Sequence, residues 1–148
     1  MSIAGGGPAL FRLVRFWSRR WARGVAVDGG GSASAGQHVL TVTAVSACVD
    51  TSDGGATVGD VARQLGLDQS GASRMVAAAT SAGYVLRGRA VSDARRAVLR
   101  LTPQGSRLIE SAQQWQQATF EELTESWPEP DRVRFAAYLR RLADQVGA

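Results

Sequence analysis

Residues 57–105 read TVGDVARQLGLDQSGASRMVAAATSAGYVLRGRAVSDARRAVLRLTPQG, and the order of signals in this stretch decides the fold. Thr57 is a good helix N-cap, and Asp60, three residues later, completes a capping-box pattern. A turn containing glycine ends this short helix, and Asp68 then caps a second helix predicted over residues 69–82. Two helices joined in this way are typical of a helix-turn-helix.

The start of the second helix carries small or polar side chains that suit the major groove of DNA. They are Gln69, Ser70, Gly71, Ser73 and Arg74. Short hydrogen-bonding side chains with one arginine match base edges and nearby phosphates. The same residues also fit an ordinary solvated helix face, because polar helix starts are common. These residues alone leave both interpretations open.

A β-hairpin with a basic tip is predicted after the second helix. Residues 84–86 and 98–101 are rich in β-prone side chains. Four arginines against one acid make an unusual tip, because arginines add no packing there but suit phosphates and the narrow, negative minor groove. A charged loop that only aids solubility is the plainer alternative. The tip spans residues 87–97, and its charged residues are Arg87, Arg89, Asp93, Arg95 and Arg96.

Three segments of this stretch resemble a known family. They are LGLDQSGASRMV (65–76), AGYV (82–85) and SDARRAVLRLTPQG (92–105), and their order is similar to the winged helix-turn-helix of the MarR (multiple antibiotic resistance regulator) family. Residues 93–96 match the D-x-R-R wing motif of that family. Residues 101–105 match its L-T-x-x-G entry to the next helix.

The resemblance is close from residue 57 to residue 105 and extends to the flanks only in helical pattern. It implies a bacterial, homodimeric DNA-binding regulator. Such a regulator is usually a repressor that a small molecule or an oxidant releases from DNA. The resemblance also implies that Arg95, oriented by Asp93, enters the minor groove. The residues that it places against the major groove are Ser70, Ser73 and Arg74.

The distribution of charge agrees with a polyanionic partner. The 148 residues carry a net charge of +4 and a pI of about 10.5. From Thr57 to Arg107, eight arginines outnumber three aspartates, whereas from Leu108 onward four arginines meet seven acids. The positive charge is therefore concentrated in the stretch that carries the DNA-binding motif.

No motif in the sequence indicates catalysis, a metal or a cofactor. G-x-S-x-G, P-loop and H-E-x-x-H patterns are absent, so we predict no enzymatic activity. The single cysteine, Cys48, excludes an internal disulfide and a cysteine-based zinc site. Its apolar neighbours favour an inert thiol over a redox switch. Without a bilayer-length apolar run or a signal-peptide pattern, we expect a cytoplasmic protein with no membrane partner.

The N-terminal flank is predicted to be a helix followed by a flexible linker. Apolar residues recur at helical spacing from Pro8 to about Arg23, and the arginines between them fit a solvated face better than phosphate contacts. Residues 24–37, GVAVDGGGSASAGQ, have the composition of a linker. Residues 38–50 are apolar and β-branched, which allows a strand; we interpret them as a buried helix because a winged helix needs one there.

Two long amphipathic helices are predicted after the wing. The first carries an apolar stripe from Leu108 to Trp127, and Pro128 and Pro130 separate it from a last helix over about residues 133–146. Such stripes are too long for a small winged helix to bury. They indicate a homodimer interface, with a monomer carrying a helical cap as the alternative.

Four aromatic residues define a candidate ligand site. Trp17, Trp21, His38 and Trp115 are predicted to converge where the dimer helices meet the DNA-binding lobe. In the MarR family that junction often holds an aromatic effector, so the resemblance implies a small aromatic ligand. The plainer alternative is that the tryptophans are packing anchors and that the lone histidine is structural.

These observations predict a mainly α protein with a small β-hairpin wing. We divide its single MarR-like domain into an N-terminal helix and loop (1–37), a winged helix-turn-helix lobe (38–102) and C-terminal dimerisation helices (103–148). The predicted function is a homodimeric repressor that binds a pseudo-palindromic operator in double-stranded DNA and is released by a small effector. The alternative is a winged-helix protein-interaction module without specific DNA binding.

Overall fold

The computed structural model of the chain describes residues 3–18, 20, 33–49 and 54–148. Within these ranges, helices and a two-stranded antiparallel hairpin follow one another, and the predicted class, mainly α with a small β wing, is confirmed. The elements are α1 (Gly6–Trp17), α2 (Ala33–Val49), α3 (Val58–Leu65), α4 (Gln69–Ser81), β1 (Val85–Arg89), β2 (Ala97–Leu101), α5 (Pro103–Leu123) and α6 (Glu129–Val146).

The helix-turn-helix forms where its capping residues predict. The Thr57 hydroxyl accepts the Asp60 N–H at 3.1 Å, and the Asp60 carboxylate accepts the Thr57 N–H at 2.8 Å, which completes the capping box of α3. Gly66 ends α3 in the left-handed region at φ 63°, where glycine has no steric penalty. Asp68 then caps α4 by accepting the Gly71 N–H at 2.7 Å.

The strands of the wing are longer than predicted, and its tip is correspondingly shorter. Antiparallel pairing continues through Gly88 opposite Val98 to Arg89 opposite Ala97. Arg87 and Arg89 therefore lie within β1. The antiparallel register keeps backbone donors and acceptors paired beyond the β-prone run at the start of the strand. On the other side of β2, Ala56 exchanges two backbone hydrogen bonds with Leu99.

The core surrounds α2, the segment for which both strand and helix were possible. It is a helix, and Val39, Val42 and Val45 on it are almost completely buried against α3, α4, α5 and the wing. Burying each such valine contributes about 1.5 kcal/mol or more. The need to cover several neighbours at once therefore outweighs the β propensity of these residues.

The prediction that residues 24–37 form one flexible linker is wrong for residues 33–37. Those five residues are the first turns of α2. Ala35 and Gly36 are buried, and alanine is the best helix former, so propensity and packing together extend the helix into a segment that its composition assigned to a loop. Residues 24–32 lie outside the described residues.

Two predicted helix ends are also corrected. α1 ends at Trp17 and not near Arg23, and the Ser18 hydroxyl at its end donates to the Arg15 carbonyl. α5 ends at Leu123, before the stripe reaches Trp127. Buried Thr124 follows. Its hydroxyl donates to the Phe120 carbonyl at 2.8 Å and accepts the Arg132 Nε–H at 3.2 Å, which links the end of α5 to α6.

None of the helices in the described ranges combines the length and the apolar character that crossing a membrane requires.

A backbone junction joins the end of α4, both strands and the start of α5. The Thr102 hydroxyl donates to the Gly83 carbonyl at 2.6 Å and accepts the Gly105 N–H at 3.0 Å. The Thr102 N–H donates to the Tyr84 carbonyl at 3.1 Å. Gly105 is buried against the Tyr84 backbone, so closely that a β-carbon at Gly105 would overlap the Tyr84 carbonyl oxygen.

We expect the Gly105→Ala substitution to lower the free energy of unfolding by about 2 kcal/mol, because the added methyl group forces the junction apart. The measurement is urea unfolding followed by circular dichroism. The control is Gly7→Ala in α1, where a β-carbon meets no atom within 4 Å. Equal stability of the two variants would show that the close approach at Gly105 is not a constraint.

Candidate nucleic-acid interface

α4 has one buried face and one face open to solvent. Ala72, Val76 and Ala79 are fully buried in the core. The polar residues at its start lie on the other side, with Gly71 half-buried and the rest exposed: Gln69, Ser70, Ser73 and Arg74. The packing of the helix therefore leaves its predicted recognition face available to a partner.

Two of these polar side chains have contacts within the chain. The Ser70 hydroxyl donates to the Asp68 carboxylate at 3.2 Å. The Gln69 amide oxygen lies 3.8 Å from the position that a β-carbon on Gly59 would take, so it leans towards the first turn of α3. The Gly71 N–H bond, and then the Ser70 hydroxyl bond, hold the pKa of Asp68 below its usual value. No hydrogen bond or ion pair is described for the exposed side chains of Gln69, Ser73 and Arg74, although the charge of Arg74 also helps to lower the pKa of Asp68.

The wing tip is organised by Asp93 through the backbone. Its carboxylate accepts the Arg95 N–H at 2.9 Å, and its carbonyl accepts the Arg96 N–H at 3.0 Å. The Ala90 N–H donates to the Arg96 carbonyl and closes the loop. Asp93 therefore fixes the backbone that carries Arg95, while the Arg95 guanidinium stays exposed.

The wing cations are not neutralised within the described part of the chain. Ion pairs there join Arg63 to Asp60 and Arg134 to Asp131, and neither involves the wing. Burial alone would raise the pKa of Asp60, but hydrogen bonds from Thr57 and the charges of Arg63 and Arg96 bring it below its usual value. The positive charge of Arg96 thus reaches the start of the helix-turn-helix. The exposed arginines of the wing are Arg87, Arg89, Arg95 and Arg96, with Arg100 on β2.

Of the four predicted ligand residues, the structure brings two together. The Trp17 and Trp115 rings meet edge to face with centroids 5.9 Å apart. His38 is placed elsewhere, with its ring 5.3 Å from that of Tyr84 at the base of the wing. Trp21 lies outside the described residues.

Trp17 and Trp115 line an apolar cavity of about 640 Å³ between α1, α5 and α6. His38 is not among its lining residues. The sequence-based prediction missed the other aromatic residues of this cavity, although two of them, Phe120 and Trp127, belong to the apolar stripe that was read as a dimer face. The aromatic residues that the prediction missed are Phe120, Trp127 and Phe135.

Cys48 and His38, the two remaining candidate groups, lie in apolar surroundings. Burial, and secondarily the charge of Asp60, raise the pKa of the half-buried Cys48 thiol, which opposes formation of the reactive thiolate. Burial lowers the pKa of His38, whose Nδ1 is buried and has no hydrogen-bond partner among the described residues. No group of three or more His, Cys, Asp or Glu residues in the described ranges is arranged to hold a metal.

Comparison of the sequence with protein-family models and with curated proteins finds no match. Comparison with solved structures does find matches. A MarR family protein from Bacillus stearothermophilus has a TM-score of 0.66 and 22% identity, over 97% of this chain and 96% of that chain. The chain has the MarR winged-helix fold.

Two further structures of this fold contain ligands. CouR from Rhodococcus jostii RHA1, bound to p-coumaroyl-CoA, has a TM-score of 0.64 and 19% identity, over 97% of this chain and 95% of that chain. The PcaV transcriptional regulator from Streptomyces coelicolor, in complex with its natural ligand, has a TM-score of 0.58 and 20% identity, over 97% and 96%. The similarity in each case extends over nearly the whole chain, so it includes the flanking helices as well as the winged helix.

The lowered pKa of His38 predicts a loss of stability in mild acid. The folded-state pKa lies below the ordinary value of 6.5, so the unfolded chain takes up this proton first as the pH falls. The contribution of His38 to the free energy of unfolding is therefore complete above pH 6.5 and declines below it. Asp60 contributes in a separate window, because its lowered pKa starts from 3.8.

We expect the free energy of unfolding in urea to fall between about pH 7.5 and about pH 5.5 in the wild type, and to fall less in the His38→Gln variant. An equal decline in both proteins would show that another group causes it.

Proposed function

We propose that this protein is a homodimeric transcriptional regulator that binds double-stranded DNA sequence-specifically in the cytoplasm, acting as a repressor. The observation that carries this proposal is the set of exposed, unneutralised arginines on the wing, together with an exposed polar face on α4. Both belong to a fold found in transcriptional regulators. We propose no enzymatic step.

The two surfaces match the two grooves of DNA. An exposed arginine on a helix can pair with guanine in the major groove, and a serine can bond to several bases, which fits Arg74 and Ser73 on α4. Ser70 reaches a base only by leaving the Asp68 carboxylate, so we assign it a secondary role. Arg95, held on a backbone turn by Asp93, is the wing residue that we place in the minor groove.

The flanking helices support a dimer. α1 and α6 each bury no residue in the described chain, yet both carry large exposed apolar side chains. A second copy with two-fold symmetry would cover these faces and set two α4 helices roughly 34 Å apart, in successive major grooves of a pseudo-palindrome. The exposed apolar residues are Leu10, Phe11, Leu13, Val14 and Phe16 on α1, and Val133, Tyr138, Leu139, Leu142 and Val146 on α6.

A small aromatic effector fits the cavity that Trp17 and Trp115 line. Its walls are almost wholly apolar, with the polar side chains of Gln116 and Thr119 available to orient a ligand. All three elements that form it belong to the proposed dimer region. Filling it would move α1 and α6 relative to α5, and thus alter the spacing of the two α4 helices and release DNA.

The experiment that tests DNA binding uses fluorescence anisotropy over a salt series, with duplexes from the region upstream of the gene and a scrambled duplex. We expect selective binding by the wild type. We expect the Arg95→Ala variant to bind about tenfold more weakly, with a salt slope reduced by about one. The matched control, Arg141→Ala, removes an equal charge from α6, outside the winged helix-turn-helix, and sedimentation velocity checks that it stays dimeric.

An Arg95→Ala variant that binds as tightly as wild type at matched salt would contradict the wing assignment. Failure of the wild type to bind any duplex at low salt would favour the alternative, a winged-helix module that contacts proteins.

Dimer formation is tested by sedimentation velocity. Leu142→Glu places a charge on the exposed apolar face of α6, so we expect the variant to sediment at half the mass of the wild type. Gln114→Glu on α5 adds the same charge at an exposed polar position and should stay dimeric. A wild type that sediments as a monomer at all concentrations would overturn the dimer.

A further inference from the structure

Arg100 on β2 has contacts that none of the roles above explains. Its Nε–H donates to the carbonyl of Gly54, a residue 46 positions away in the segment before α3. This segment, residues 54–56, is also held to β2 by the two backbone hydrogen bonds between Ala56 and Leu99. Arg100 therefore adds a side-chain link where the helix-turn-helix and the wing meet.

The guanidinium of Arg100 spreads over two glycines on opposite sides of β2. Its terminal nitrogens lie 3.2 Å from the position that a β-carbon on Gly54 would take and 3.7 Å from that on Gly88. Gly88 belongs to β1, whereas Gly54 belongs to the 54–56 segment. A single side chain thus bridges β1, β2 and the 54–56 segment.

The wing tip also packs against Gly54. The Val91 side chain, first in the tip after buried Ala90, lies 3.2 Å from the β-carbon position of Gly54. Gly54 has φ 83°, a left-handed conformation that favours glycine. The 54–56 segment, with Arg100 across it, therefore supports the base of the loop that carries Arg95.

No ion pair among the described residues involves Arg100. Ion pairs in the described ranges are Arg63–Asp60 and Arg134–Asp131. A carbonyl bond and packing over glycines use the fork shape of arginine, which lysine lacks. A two-stranded hairpin is marginally stable alone, so a link to the rest of the lobe limits the directions that the wing can take.

We propose that Arg100 is a positioning residue: it locks the wing to the 54–56 segment and thereby sets where Arg95 meets DNA. This inference rests on the proposed DNA-binding function. A wing already held in place loses less conformational entropy when it binds, so the lock raises affinity without a contact of its own to DNA.

A double-mutant cycle tests this, because a residue that acts through Arg95 has no effect once Arg95 is gone. The probe is a fluorescein-labelled duplex obtained by selection with the wild-type protein from a random-sequence pool. We expect Arg100→Ala to weaken binding about fivefold to tenfold in the wild type and less than about twofold in the Arg95→Ala background. The Arg141→Ala control should change binding by less than about twofold in both backgrounds.

Circular dichroism establishes that each variant is folded. If Arg100→Ala does not fold, Arg100→Lys replaces it, since lysine keeps the charge but not the Nε–H bond to Gly54. A direct phosphate contact predicts that lysine restores binding and that the losses multiply in the double variant; either result overturns the positioning role. No loss on changing Arg100 also overturns it.

The outcomes separate the two proposals. Multiplicative losses at Arg95 and Arg100 overturn only the positioning role and leave DNA binding intact. A pool that yields no bound duplex overturns the DNA-binding proposal and this inference with it. An Arg95→Ala variant with full affinity overturns the wing assignment and this inference, and leaves DNA binding intact.

Discussion

The fold depends on the contact between Thr102 and the backbone of residues 83–84. There the last turn of α4, both wing strands and the first turn of α5 come together, and hydrogen bonds to the Gly83 and Tyr84 carbonyls hold them. The approach is possible only because Gly105 has no side chain at that point. The Thr102 hydroxyl satisfies the Gly105 N–H, an orphan group of the α5 N-terminus, while the Thr102 O–H and N–H satisfy the Gly83 and Tyr84 carbonyls that follow α4. The wing, α4 and the long α5 helix are therefore tied together at one backbone junction.

The chain has two surfaces of different chemical character, one basic and one apolar. Arginines on α4 and the wing stay exposed without ion pairs in the described ranges, which suits a polyanionic partner. α1 and α6 instead expose apolar side chains, and an aromatic cavity lies between them and α5. α5 connects this cavity to the backbone junction, because Trp115 lines the cavity and Gly105 lies at the junction.

The local elements were predictable because their determinants lie within a few residues of one another. The capping box of Thr57 and Asp60 and the cap at Asp68 formed as predicted. Predictions that depended on distant partners were less secure. Residues 33–37 were assigned to a linker by composition, yet they are helical because the core buries Ala35 and Gly36. β1 extends to Arg89 because β2 pairs with it, which the β-prone run at its start did not indicate. The aromatic set was separated for the same reason: helical spacing does not say that His38 meets Tyr84 while Trp17 meets Trp115.

The sequence by itself determined the identity and order of the elements, the position of the wing arginines and the amphipathic character of the terminal helices. These follow from caps, glycines, hydrophobic period and charge, which act over one or two turns of chain. Only the tertiary structure decided which groups were already engaged. It laid Arg100 across Gly54 and Gly88, joined the Thr102 hydroxyl to the Gly83 carbonyl, and set the His38 ring beside that of Tyr84. Such contacts depend on the packing of segments that are far apart in the chain. A local sequence pattern does not indicate which of these segments come into contact.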